Sequence, residues 1–192
     1  MAADITAVAS REELASELRR ERGIHDRKGV LWSIARIVVA ISAVAAIVAM
    51  FLFPTFRIDG DSMTETLYDG DVVISLKDGR YETGDVVAFY HNNDILVKRV
   101  IASAGQWVDV ADDGTVFVDG KAVDEPYVTR PARGECDIEF PYQVPDGRVF
   151  VMGDHRVTSV DSRSSQVGPV KSDLVIGKVM LRVWPLPRVG TI

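Results

Sequence analysis

A single cysteine, Cys136, occurs in 192 residues, which excludes an intrachain disulfide and any multi-cysteine metal site. Stability must therefore come from packing, and Cys136 is expected to be a small buried apolar residue. One thiol suits an extracytoplasmic protein as well as a cytosolic one, so it leaves the compartment open. Internal repeats and low-complexity tracts are lacking. So is a concentrated basic face: the net charge is −6 and no cluster of Lys and Arg follows residue 60, which argues against general nucleic-acid affinity. Histidines number only three, and the sequence calls for no metal or other cofactor. What is present is the composition of a folded chain, 47% apolar and 26% charged, with room for one compact domain and an appendage.

Charge is missing altogether between Arg36 and Arg57, over roughly twenty residues, the length a helix needs to cross hydrocarbon. The run is closed by Pro54, and its polar side chains are Ser42 and Thr55. With Asp and Glu absent as well as Lys and Arg, a buried helix of a soluble domain is the weaker reading. A cleavable secretory signal would have a shorter apolar core and would not follow about thirty charged, helix-favouring residues. Arg19, Arg20, Arg22, Arg27, Lys28 and Arg36 precede the run, whereas Arg57 and Lys77 are the first basic residues after it. The positive-inside rule then puts the N-terminus in the cytoplasm. The expected organisation is a cytoplasmic segment over 1–36, a transmembrane helix over 37–56 and an extracytoplasmic domain over 57–192. Residues Arg11 to Arg22 mix charges at spacings compatible with i,i+4 pairing on a short solvated helix.

Beyond the span, short apolar runs are separated by Gly and Asp. Residues 71–74, 85–90, 95–97, 107–110, 116–118, 149–152 and 175–183 have the β-branched content and length of strands. The pairs Asp69-Gly70, Asp78-Gly79, Asp113-Gly114, Asp119-Gly120 and Asp146-Gly147 are turn signals close enough together to join strands directly. The spacing predicts a mostly β, antiparallel domain, sheet or barrel-like, and excludes parallel α/β folds. Residues 129–144 have no clean period and read as an irregular loop.

Chemistry needs a nucleophile, a base and an oxyanion donor together. Gly60-Asp61-Ser62-Met63 alone reads as a turn. His25 falls on the cytoplasmic side, and His91 sits at a strand end, which leaves His155, in Gly153-Asp154-His155-Arg156, as the histidine base to consider. Lys98 offers another base. It lies in the apolar run Ile95-Leu96-Val97-Lys98-Arg99-Val100-Ile101, where strand alternation separates Lys98 and Arg99 onto opposite faces and one of the two points inward. Burial would disfavour its ammonium form and lower its pKa.

Four separated segments, in order, resemble the boxes of bacterial type I signal peptidases: Gly60-Asp61-Ser62-Met63-Thr64-Glu65-Thr66-Leu67; Gly84-Asp85-Val86-Val87; Val97-Lys98-Arg99-Val100-Ile101; and Gly153-Asp154-His155-Arg156 with Ser159-Val160-Asp161-Ser162-Arg163. The resemblance implies a membrane-bound serine endopeptidase that removes signal peptides from preproteins after a small-x-small motif. It implies Ser62 as nucleophile and Lys98 as general base, Ser159 orienting the lysine, Asp161 and Arg163 as a supporting ion pair, and Met63 lining the substrate cleft. The backbone N–H of Ser62 would donate to the oxyanion, and Gly60 stands where some relatives place a second, serine donor. Glu65, Gln106 and His155 depart from the family's usual proline, aspartate and asparagine. The implied partners are preproteins and membrane lipid. About eight residues separate the apolar run from Ser62, a reach below roughly 30 Å even fully extended, which keeps the nucleophile near the bilayer. Trp184, expected to pack in the core, and Phe51 and Phe53 are the aromatic residues available to an interface. Two other readings stay open on sequence alone: a self-cleaving serine-lysine protease of the repressor type, and a catalytically silent membrane-anchored assembly factor. Oligomeric state is not legible.

Overall fold

A computed structural model describes residues 11–77 and 79–192, with side chains from residue 29 onward. The chain divides into two compact units, the first ending at Met50 and the second Phe51–Ile192. One helix, α1, runs Arg11–Leu52. Its part Gly29–Leu52 has a mean hydropathy of 2.5 and none of it is covered by protein. A helix that apolar, exposed over its whole circumference, matches hydrocarbon and not water as its surroundings. The backbone of 11–22 is continuous with this helix and is not a separate short element. The charge pairing expected there, His25, the basic side chains from Arg19 to Lys28, and Asp78 lie outside the described residues. After Leu52 the helix stops ahead of Pro54, which has no N–H to continue it.

The second unit is built from β1 Thr55–Arg57, β2 Val72–Leu76, β3 Val86–His91, β4 Asp94–Ser103, β5 Trp107–Val110, β6 Val116–Val118, β7 Lys121–Ala122, β8 Tyr142–Gln143, β9 Arg148–Met152, β10 Val170–Lys171, β11 Val175–Trp184 and β12 Gly190–Thr191. The pairings recorded among them are antiparallel. The larger sheet has the order β1-β2-β11-β3-β4-β9-β10, with β12 added on β11, and the smaller has the order β7-β6-β5-β8. The larger path is open at β1 and β10 among the described residues, so closure into a barrel is not observed. The seven predicted runs are all strands, and the Lys98 run extends β4 to ten residues. Strand β1 falls where a continuing helix was expected. The Asp119-Gly120 turn has φ of 51° and 76°, the left-handed pair that a two-residue hairpin requires.

Three buried clusters hold the unit together. Ile101, Val108, Val116 and Phe150 join the two sheets. Val87, Phe89, Val100 and Val151 pack around the middle of the larger sheet. Ile58, Met63, Leu67, Val73, Val86 and Val179 form the third, so the 62–67 turn is pinned from below by its own Met63 and Leu67. Burying each such side chain stabilises the fold by about 1.5–3 kcal/mol. Cys136 is half-buried, not buried, with its Sγ 3.6 Å from Ile138 O. Trp184 is 54% exposed, not in the core, because it ends β11 just before Pro185.

Candidate active site

Ser62 follows β1 on a tight turn. Gly60 takes φ 89°, a conformation open to glycine, and its N–H donates to Asp69 Oδ1 at 3.0 Å. Thr64 N–H bonds Asp61 O at 3.0 Å and Leu67 N–H bonds Met63 O at 2.8 Å, which folds the chain back under Ser62. Thirty-six residues later, β4 brings Lys98 to the same place: Lys98 Nζ and Ser62 Oγ are 2.5 Å apart. Lys98 is 3% exposed. Loss of solvent lowers its pKa to about 8, against the opposing pull of Asp161, Asp154 and Asp61.

Arg99 is buried as well, so both members of the Lys98-Arg99 pair are covered and not just one. The reason is that β4 is flanked on both faces: Lys98 meets the Ser62 turn, and Arg99 meets Asp154. Arg99 donates to Asp154 Oδ1 and Oδ2 at 2.8 and 2.7 Å, to Gly84 O at 2.7 Å and to Thr66 Oγ1 at 3.2 Å.

The 153–163 segment closes the site from the other side. His155 N–H donates to Ser62 O at 3.1 Å. Its ring faces Thr158 Oγ1 at 2.8 Å and Asp61 Oδ2 at 3.7 Å, so the imidazole pairs with these groups while Lys98 pairs with Ser62 Oγ. A Cβ at Gly153 would overlap Ser159 Oγ and come within 2.5 Å of Ser62 O, so only glycine fits this approach. Gly153 N–H donates to Asp161 Oδ2 at 2.9 Å. Arg163 grips both oxygens of Asp161 at 2.9 and 2.8 Å, and both residues are fully buried. The irregular loop joins in: Arg163 Nη1 donates to Arg133 O at 2.6 Å. Ser159 is buried, but its Oγ has no hydrogen-bond partner, and the bond to Lys98 is not formed in this structure.

A cleft of ≈ 310 Å³ opens in front of Ser62 and Lys98, lined by residues 55–59 on one side, Ile95, Leu96 and Val97 on the other, and Met63 at its base. Both walls are free strand edges. Strand β1 pairs only with β2 among the described residues, and β4 pairs with β9 only from Arg99 onward. Of the three departures, Gln106 accepts from Ser103 N–H and donates to Asp119 Oδ2, closing the β4–β5 turn. Glu65 is exposed on the Ser62 turn. Among the described residues no group of His, Cys, Asp and Glu gathers that could hold a metal ion.

Several residues of this site were not singled out by sequence reasoning: Arg99 as a buried cation, Arg156, and Glu125 and Tyr127 from the smaller sheet's exit. No periodicity marks them, because each is defined by a partner far away in the chain.

The family described as "Signal peptidase, peptidase S26" matches residues 31–184. Signal peptidase IB of Staphylococcus aureus strain COL is 37% identical over 180 residues, covering 83% of this chain and 92% of that protein. Signal peptidase I of Bacillus amyloliquefaciens is 29% identical over 178 residues, covering 86% and 91%. A crystal structure of a signal peptidase I from Enterococcus faecalis V583 is similar at 30% identity and a TM-score of 0.42, over 52% of this chain and 96% of that one. The family match takes in most of the apolar helix, the Ser62 turn, β4 and the 153–163 segment, and on that extent the chain belongs to the signal peptidase family, peptidase S26.

Proposed function

We propose that this protein is a membrane-bound serine endopeptidase that removes signal peptides from exported preproteins, with Ser62 as nucleophile and Lys98 as general base. The observation that carries the assignment is the 2.5 Å contact between Lys98 Nζ and Ser62 Oγ at a lysine that is 3% exposed. A neutral amine there accepts the Ser62 proton as Oγ attacks the scissile carbonyl. The resulting ammonium returns the proton to the leaving amine, and water then releases the acyl group from Ser62. The Ser62 N–H has no protein acceptor among the described residues, which leaves it available to the developing oxyanion. Ser159 Oγ, buried without a partner, is the group to steady Lys98 once Ser62 is acylated. Asp161 and Arg163 hold Gly153 against Ser62.

The two free strand edges support an extended substrate, which can add backbone hydrogen bonds between residues 55–59 and 95–97. A cleft of ≈ 310 Å³ suits small side chains in such a strand, in keeping with a small-x-small cleavage motif. The apolar helix anchors the protein. The basic residues before it support a cytoplasmic N-terminal segment, the apolar helix to Leu52 in the membrane and the β unit outside. Substrates are preproteins whose own apolar segment is still in the lipid.

Cleavage of a synthetic preprotein by the detergent-solubilised full chain tests the reading. Wild type cuts after the small-x-small motif, while Ser62→Ala and Lys98→Ala lose nearly all activity. An inert wild type would favour the silent assembly factor, and an active Lys98→Ala would hand the base role to His155.

A further inference from the structure

After β7, residues 123–128 leave the smaller sheet and cross to the two buried arginines beside the site. Arg156, 1% exposed, donates to Glu125 Oε1 and Oε2 at 2.5 and 2.9 Å, and its Nε donates to Gly153 O at 3.1 Å. Tyr127 lays its ring 3.8 Å from the Arg99 guanidinium carbon, and its hydroxyl donates to Glu125 Oε1 at 2.9 Å. Arg99 in turn holds Asp154. The contacts run from Glu125 through Tyr127 and Arg99 to Asp154, and from Glu125 through Arg156 to Gly153, so both arms end on the 153–156 stretch of the chain.

We infer that Glu125 and Tyr127 are positioning residues for Ser62 and Lys98, clamping the 153–159 turn and β4 from the smaller sheet. The inference rests on the reading in which Ser62 and Lys98 carry the reaction. Its logic is one of shared cations. Arg99 follows Lys98 on the same strand, so fixing its side chain fixes the backbone that aims Lys98. Arg156 holds the carbonyl of Gly153, the residue whose Cα lies against Ser62 O and Ser159 Oγ. Each arginine therefore touches the strap with one end and the catalytic scaffold with the other. Neither Glu125 nor Tyr127 lines the cleft, so the strap acts on geometry and not on substrate contacts. Removing the carboxylate would leave a wholly buried guanidinium without its counter-ion. Burial and the Glu125 charge push the Tyr127 phenol upward, which keeps its proton in place for the bond to Glu125.

The test compares Glu125→Gln and Tyr127→Phe with wild type, as full chains in detergent, on a peptide carrying a small-x-small cleavage site. For a displacement of a few tenths of an ångström at the site, kcat falls about tenfold in Glu125→Gln and about threefold in Tyr127→Phe, with KM within about twofold. The rising limb of the pH–kcat profile also moves to higher pH. A looser turn admits water to Lys98 and relieves the desolvation that lowers its pKa, while the charges facing it, Asp161, Arg163, Asp154 and Asp61, are unchanged. A purely structural clamp would lower the melting temperature without moving that limb. Tyr127→Phe keeps the ring on Arg99 and decides the matter if Glu125→Gln does not fold. Wild-type kcat and an unmoved limb in a folded variant overturn the inference. Should wild type prove inert, or Lys98→Ala remain active, the dyad reading falls and the clamp with it; loss of activity in the dyad variants beside unaffected clamp variants removes the clamp alone.

Discussion

Replacing Lys98 by methionine separates the cost of the buried amine from its use. In the folded chain its pKa is about 8, against 10.5 for an exposed lysine. At about 1.4 kcal/mol per pH unit, the ammonium form is penalised by about 3 kcal/mol on folding. Between pH 8 and 10.5 the unfolded chain binds the extra proton, so wild-type stability rises with pH across that window. Below pH 8 the whole penalty is in force, and above 10.5 it is gone. Methionine carries no such penalty. Lys98→Met is therefore more stable than wild type below pH 8 by up to about 3 kcal/mol, and the two converge toward pH 10.5. Denaturant unfolding of the full chain in detergent, followed by β-sheet circular dichroism, measures the difference with all other titrations cancelling. The same pKa sets activity: wild-type kcat/KM rises with pH through a midpoint near 8, and at pH 7 roughly a tenth of the molecules hold the free base. A stability difference that stays constant from pH 8 to 10.5 would refute the reasoning, as would a rate midpoint near that of an ordinary histidine.

Ser159→Ala removes a buried hydroxyl that has no partner, so thermal melts should show no loss of stability and a gain of up to about 1 kcal/mol, while kcat falls about tenfold or more. Gly153→Ala puts a methyl group onto Ser62 O and Ser159 Oγ; single-turnover cleavage should slow by about a hundredfold, the scale of an ångström's misplacement at a reacting centre. Asp161→Asn breaks a fully buried ion pair with Arg163, and calorimetry should register a loss of about 3–5 kcal/mol.

The strands were legible because each is a short β-branched run bounded by Gly and Asp, and local pattern decides such elements. Val86–His91 and Trp107–Val110 needed no tertiary information. Strand β1 was not legible, because Thr55, Phe56 and Arg57 are too short a run after Pro54 to show a strand period; only pairing with Val72, Val73 and Ile74 makes them a strand. Ser62 and Lys98 could be named from their boxes, and composition alone would have left Ser62 a turn residue. The exposure of Trp184 was misjudged because a tryptophan's burial depends on which face of β11 meets a neighbour. Glu125 gave no local signal at all. Its meaning lies in Arg156, 31 residues away.

The charges around the site explain why Lys98, and not a neighbouring cation, has its pKa drawn down toward neutrality. Arg99, Arg156 and Arg163 are as buried as Lys98, but each is committed to a carboxylate: Asp154, Glu125 and Asp161. Arginine also holds its proton at any physiological pH. Lys98 alone among these cations is not paired with a carboxylate; its bonded partner is the Ser62 hydroxyl. Of the acidic groups whose fields reach it, Asp161 and Asp154 are already paired with their own arginines and Asp61 is exposed to solvent, while Arg163 opposes the ammonium directly. Desolvation therefore prevails over attraction. Had either carboxylate been free to pair with Lys98, the ammonium would be favoured and the free base lost. The buried arginines Arg99 and Arg163 thus act on the lysine by occupying the carboxylates that would otherwise keep it charged, which is why breaking the Asp161–Arg163 pair should be felt in the pH dependence as well as in stability.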